Sequence, residues 1–203
     1  CTAEYSNYFG ATSAAQVNLV LAAFNRTYTR CNAVFEMDFN ATMVLIANTT
    51  SVIYYNPATD PYSPATNLGN WNNELGATLQ SVIGNANYDI GHLFGASGGG
   101  GNAGCIGCVC SADNAKGRGY TSPSDGRPEG DFFDIDYVAH EIGHQLGGNH
   151  TFSHSAENNA VNMEPGSGVT IMGYAGITGA TDVAAHSIPI FHAGSIQQIT
   201  NNI

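Results

Sequence analysis

Apolar residues recur at three- and four-residue steps in SAAQVNLVLAAFNRTYTRC, residues 13–31. Val17, Val20, Leu21, Phe24, Tyr28 and Cys31 share one side of a predicted helix, with Ser13 placed to cap it. The pattern changes in MVLIANTTSVIYY, 43–55, where β-branched and aromatic residues predict one or two strands, and NPATDPYSPATN then predicts a proline-rich loop. A second amphipathic helix carries Trp71, Leu75, Leu79 and Val82 on one face and stops at Gly84. NYDIGHLFGAS, 87–97, predicts a strand, GGGG at 98–101 a link, and 103–111 a short further strand. Turn formers fill 112–133, after which Asp131 or Asp134 is placed to cap a helix ending near Gly147. No period is readable in 151–170. TIMGYAG follows, then a loop, then a last helix beginning at Ser195, where Ser195 and Gln198 have the spacing of a capping box. Alternating helices and strands followed by an irregular second half predict an α/β (α+β) fold, with an upper part over a looser lower part.

Length and charge narrow the field. A chain of 203 residues suits one domain with a sizeable core, expected as an upper subdomain over 1–150 and a lower one over 151–203. Five Lys and Arg stand against 16 Asp and Glu, so the net charge of −11 repels nucleic acid and anionic membrane surfaces. No run approaches the roughly 18 apolar residues of a membrane span, and 43% hydrophobic residues exclude disorder. Cys1, Cys31, Cys105, Cys108 and Cys110, with sequons at Asn25, Asn40, Asn48 and Asn149, point to an oxidising, extracellular compartment. CTAEYSNYFG has no signal-peptide layout, so the chain as given reads as mature or trimmed.

The chemistry concentrates in AHEIGHQLGGNHTF, 139–152. On a helix His140 and His144 present their imidazoles one turn apart on a single face, a spacing that suits zinc. Glu141 lies beside the first histidine, where its carboxylate reaches a water at the metal without being a ligand. Gly147 permits the positive backbone angle that ends a helix, so the chain can swing back and bring His150 in as a third nitrogen. Three neutral imidazoles and an open fourth position make a catalytic rather than a structural zinc site. Glu141 then serves as general base and acid, and the reaction class is metal-assisted amide hydrolysis.

HExxHxxGxxH resembles the signature of the metzincin zinc endopeptidases, and TIMGYAG resembles their methionine turn, with Met172 as an apolar floor beneath the metal. The closest likeness is to the adamalysin/reprolysin group, in particular its secreted bacterial members. YDIGHLFGAS, the glycine-rich link, FDIDYVAHEIGHQLGGNHTF, EPGSGVTIMGYAG and PIFHAGSIQQI carry it across 87–203. The resemblance implies a metzincin zincin-like fold: a twisted mixed sheet with helices above, and an irregular lower subdomain ending in a helix. It also implies secretion, a monomer, a precursor with an N-terminal pro-segment, and an extended polypeptide substrate. That substrate would pair with an edge strand near 103–111, while 173–192 would wall the pocket for the side chain after the scissile bond. The group ties the cysteine matched by Cys110 to one near the C-terminus that this chain lacks. The expected bridges are therefore Cys1–Cys31 and one within 105–110.

Tyr174 follows Met172 by two residues. Astacins and serralysins use a tyrosine at this offset on zinc and on the oxyanion, so Tyr174 is either a catalytic residue or a support for the turn. An astacin- or serralysin-like protease is one alternative, and an inactive zinc-bearing binding domain is another. Asp89 matches a calcium-site position of some adamalysins, with Glu4, Asn201 and Asn202 as candidate partners, so Zn2+ is the expected ion and Ca2+ only a candidate. His92 reads as a packed histidine, His154 as a solvated one and His192 as a support for the last helix. His186 and His192 lie in the region expected near the substrate pocket.

Overall fold

A computed structural model describes all 203 residues. The helices are α1 (Ala3–Tyr8), α2 (Val17–Phe39), α3 (Trp71–Val82), α4 (Asp131–Phe133), α5 (His140–Leu146) and α6 (Ala193–Asn202). The strands are β1 (His92–Phe94), β2 (Gly100–Asn102) and β3 (Gly119–Ser122). They form a mixed sheet in the order β1-β3-β2, with β1 parallel and β2 antiparallel to β3. This mixed α+β arrangement agrees with the zincin-like fold expected from the sequence. No helix is long and apolar enough to cross a membrane.

The first amphipathic helix runs past its expected end, because Val34, Phe35 and Phe39 continue the buried stripe until Asn40 takes a left-handed conformation. Ser13 makes no capping bond to the helix. The strands expected over 43–55 do not form, and that segment holds only a short 3-10 turn at Thr49–Val52. At the start of that segment the Asn32 side chain of α2 accepts from the Met43 N–H at 2.8 Å and donates to the Met43 carbonyl at 2.9 Å, so both backbone groups of Met43 are taken by a side chain rather than by a strand.

The edge strand is also displaced, for β2 lies in the glycine run and 103–111 is a chain of turns. Cys105 and Cys108 are disulfide-bonded with their Cα atoms 5.9 Å apart. Three extended residues would span roughly 10 Å, so that bridge excludes a strand. The expected Cys1–Cys31 bridge is absent. Cys1 Sγ lies 3.3 Å from Ser6 Oγ, and Cys31 Sγ donates to the Asp134 carbonyl at 3.2 Å, each buried and separately satisfied.

Neither aspartate caps the histidine helix. Asp131 chelates Arg30 at 2.8 and 2.9 Å, and Asp134 accepts from the Thr27 hydroxyl at 2.7 Å, so both tie the helix to α2. At the other end of the chain His192 caps α6, its Nδ1 accepting from the Gly194 N–H at 3.1 Å. The predicted cap Ser195 is buried inside the helix, and Gln198 instead accepts from the Asn149 N–H.

Two apolar clusters hold the structure. The larger, of 22 buried residues, joins Tyr5, Phe24, Phe35 and Phe94 to Ile142, Leu146, Met172, Phe191 and Ile199. The histidine helix is thus packed between α2 on one side and the last helix on the other. The smaller gathers eight residues around Trp71, Leu79 and Tyr120, fixing α3 against the sheet. At about 25 cal/mol per Å2 of buried apolar surface, each large side chain contributes roughly 1.5–3 kcal/mol.

Candidate functional site

Residues 134–139 form a turn of π-helix between α4 and α5, directly before His140. His140 and His144 leave α5 with ring centroids 4.8 Å apart. Gly147 then adopts φ +119°, a conformation other residues rarely reach, while its N–H bonds the Gly143 and His144 carbonyls. The reversal carries His150 back to ring-centroid separations of 5.3 Å from His140 and 4.5 Å from His144.

The orientation of each ring is set by its Nδ1. His140 Nδ1 bonds the Ile171 carbonyl at 2.6 Å, His144 Nδ1 the Gly148 carbonyl at 2.7 Å, and His150 Nδ1 the Glu157 carboxylate at 2.9 and 3.1 Å. Carbonyl and carboxylate oxygens only accept, so each Nδ1 carries the proton and each Nε2 offers a lone pair. Ligand atoms from all three rings lie within 4.8 Å of one another, and the Nε2 atoms of His144 and His150 are 3.0 Å apart. With no proton left to share, the two lone pairs face each other, an arrangement a cation between them relieves. Three neutral imidazoles are a donor set suited to zinc. Burial favours that neutrality: it holds His140 well below its ordinary pKa, lowers His144 to about 4, and lowers His150 against the opposing pull of Glu157.

Glu141 lies on the same helix, buried against β2. A Cβ on Gly101 would sit 2.5 Å from its Oε1, so only glycine there leaves the carboxylate room. Burial pushes Glu141 up to about 8, with the Ala103 backbone N–H working the other way. β2 pairs with β3 alone, which leaves its outer edge without a ladder partner beside Glu141.

Met172 is fully buried, and its sulfur presses so closely on α5 that a Cβ at Gly143 would meet it at 2.6 Å. The Tyr174 ring packs 4.5 Å from His150 and 5.6 Å from His140, with burial raising its pKa to about 12. All five residues singled out in the sequence, with Met172, therefore meet in one place.

The other histidines lie apart from the triad's convergent nitrogens. His92 is packed on β1: Gln145 donates its amide to the Gly91 carbonyl and presents Oε1 to His92 Nδ1 at 2.7 Å, while Nε2 lies 2.8 Å from the Thr121 hydroxyl. His154 is exposed, and His186 bonds Asp136 at 2.7 Å. Asn202, considered for calcium, turns its amide to the Gly107 and Leu146 carbonyls. Sequence reasoning missed Gly101, Glu157 and Glu164. Glu157 and Glu164 lie in the aperiodic stretch after His150, where no local pattern marks them.

Fold and triad together define a zincin-like, metal-dependent peptidase site. The family model described as Metallo-peptidase family M12B Reprolysin-like matches residues 1–203, and the chain belongs to that family. No curated protein matches it. Membership and the three-histidine cluster support a zinc-dependent peptidase acting on polypeptides.

Proposed function

We propose that the protein is a secreted zinc endopeptidase whose metal is held by the Nε2 atoms of His140, His144 and His150, with Glu141 as general base and acid. The observation that carries this reading is the convergence of three Nε2 lone pairs, each fixed by a bonded Nδ1, beside a carboxylate on the same helix. Zinc, when bound, supplies Lewis acidity and brings the pKa of a coordinated water toward about 7.

The chain's own groups then do the rest. The outer edge of β2 binds an extended peptide by backbone pairing, which lays the scissile amide past Glu141. Glu141 takes a proton from the attacking water at a carboxylate oxygen and returns it to the leaving nitrogen. The Nδ1 bonds to Ile171, Gly148 and Glu157 keep the imidazoles from turning. Residues 1–203 act as one catalytic unit, with 173–192 walling the pocket beyond the scissile bond. A secreted, monomeric enzyme released from a pro-segment is in keeping with the reprolysin-like family. Calcium at Asp89 stays a secondary proposal, resting on the sequence likeness alone.

Digestion of denatured casein with and without a chelator tests the reading. Cleavage that the chelator abolishes and zinc restores is expected. Zinc binding without cleavage would leave an inactive binding domain instead. A second reading, in which the Tyr174 phenol steadies the oxyanion, is favoured by the packing of its ring against His140 and His150. Tyr174→Phe with a reduced turnover number and unchanged zinc content supports that role, and unchanged turnover leaves Tyr174 a support for the turn.

A further inference from the structure

The most heavily bonded buried carboxylate in the chain has no part in that chemistry. Glu164 is only 6% exposed, and no basic side chain pairs with it. Its Oε1 accepts from the backbone N–H groups of Val169 at 2.9 Å and Thr170 at 3.0 Å. Its Oε2 accepts from the hydroxyls of Thr170, at 2.6 Å, and Thr151. Four donors fill the carboxylate's lone-pair sites, and together they outweigh the burial that opposes ionisation and hold its pKa below the ordinary value.

The donors come from two segments that meet nowhere in sequence, and each adjoins a histidine. Thr151 directly follows His150. Thr170 directly precedes Ile171, whose carbonyl orients His140. Two backbone bonds close the circuit: Glu164 N–H to the Thr151 carbonyl at 2.8 Å, and Thr151 N–H to the Met172 carbonyl at 3.0 Å. A buried charge without a counter-ion costs several kcal/mol unless fully hydrogen-bonded, so a site that keeps one relies on its bonding capacity. A glutamine in the same place has one accepting oxygen instead of two and could not receive all four donors.

We propose that Glu164 is a positioning residue of the metal centre, fixing the separation between His150 and the Ile171 carbonyl that orients His140. This rests on the reading that the triad binds zinc. The histidine helix alone sets two ligands; the third, and the acceptor that aims the first, belong to loops that one carboxylate joins.

The test uses the full chain with Glu164→Gln, Thr151→Val and Thr151→Ser. Zinc affinity is read by competition with a chromophoric chelator, ligand geometry by the visible spectrum of the cobalt-substituted protein, and stability by thermal unfolding of the metal-free form. Glu164→Gln and Thr151→Val are expected to bind zinc about 10- to 100-fold more weakly and to shift the cobalt bands, as loss of a group behind a metal ligand does. Thr151→Ser, which keeps the hydroxyl, is expected to restore both. Lowered metal-free stability with zinc affinity within twofold of the parent and an unchanged cobalt spectrum overturns the proposal, leaving a purely structural carboxylate. If Glu164→Gln fails to fold, the Thr151→Val and Thr151→Ser pair decides the matter in the same way. A parent chain that binds no zinc overturns the metal reading itself, a failure visible before any variant is compared.

Discussion

The helical run Asp131–Leu146 and the coil from 151 to 192 meet at the same three imidazoles but hold them by different means. In the helix the spacing of His140 and His144 follows from 3.6 residues per turn, and their Nδ1 protons are received by the main-chain carbonyls of Ile171 and Gly148. Both acceptors are main-chain groups, present whatever the side chain, and a substitution acts on them only by moving the backbone. His150 stands where the coil begins, and its acceptor is the side chain of Glu157. The coil has one isolated β-bridge, between Phe152 and Glu164, and one short 3-10 turn. Carboxylates bonded to backbone amides replace the missing ladders, Glu164 within the coil and Asp136 reaching in from the helix to the Ser187 N–H at 2.9 Å. A regular element positions a ligand through backbone geometry, whereas an irregular one does so through individual side chains, and it is correspondingly easier to break.

The sharpest effect is expected on the helical side. Glu141→Gln should lower turnover about 10²- to 10⁴-fold while zinc content stays at the parent level. Near-parental turnover would remove Glu141 from the proton transfers and with it the helix's claim to the chemistry. On the coil side, Met172→Ala empties a fully buried place against α5 and should cost about 2–5 kcal/mol, read as a drop in unfolding temperature. A cost below about 1 kcal/mol would mean that the turn does not support the site through packing.

His92 tests the ground under the helix, because Gln145 links it to the carbonyls of Gly91 and Lys116. Burial lowers its pKa to about 4, below the value near 6.5 of an unfolded chain, although the Gln145 bond opposes the shift. The unfolded state therefore binds the proton first as pH falls. This contribution is fully present above pH 6.5 and is lost toward pH 4, by at most about 3 kcal/mol. Denaturant unfolding at pH 7 and pH 4.5 should differ less for His92→Gln than for the parent, and equal differences would count against a buried neutral imidazole. The smallest effect separates the two modes of support most directly. Glu157→Gln should weaken zinc binding about tenfold, measured by chelator competition, and leave the unfolding temperature of the metal-free chain unchanged.

Much of the site was legible in residues 139–152, because a helix fixes which neighbours share a face and Gly147 marks where that face ends. His140, His144 and His150 gather as their spacing implies, with Glu141 on the same helix. Long-range partners were not legible. The strand character of 43–55 was not realised, and at its start Asn32, eleven residues before Met43, takes both backbone groups of that residue. The Cys105–Cys108 bridge turned 103–111 into turns, so the edge strand formed in glycines that had read as a link. Glu157 has no local signature, and Glu164, although it opens EPGSGVTIMGYAG, gives no sign there of what it bonds, since a carboxylate gains its meaning from donors that other segments deliver.

The sequence by itself determined which two imidazoles and which carboxylate share the helix and the point at which the chain turns back, because these depend on the rise and rotation per residue. Only the tertiary structure decided which strand forms the open edge, which carboxylates brace the coil and which cysteines pair. Those outcomes depend on contacts between distant segments, which local periodicity does not contain.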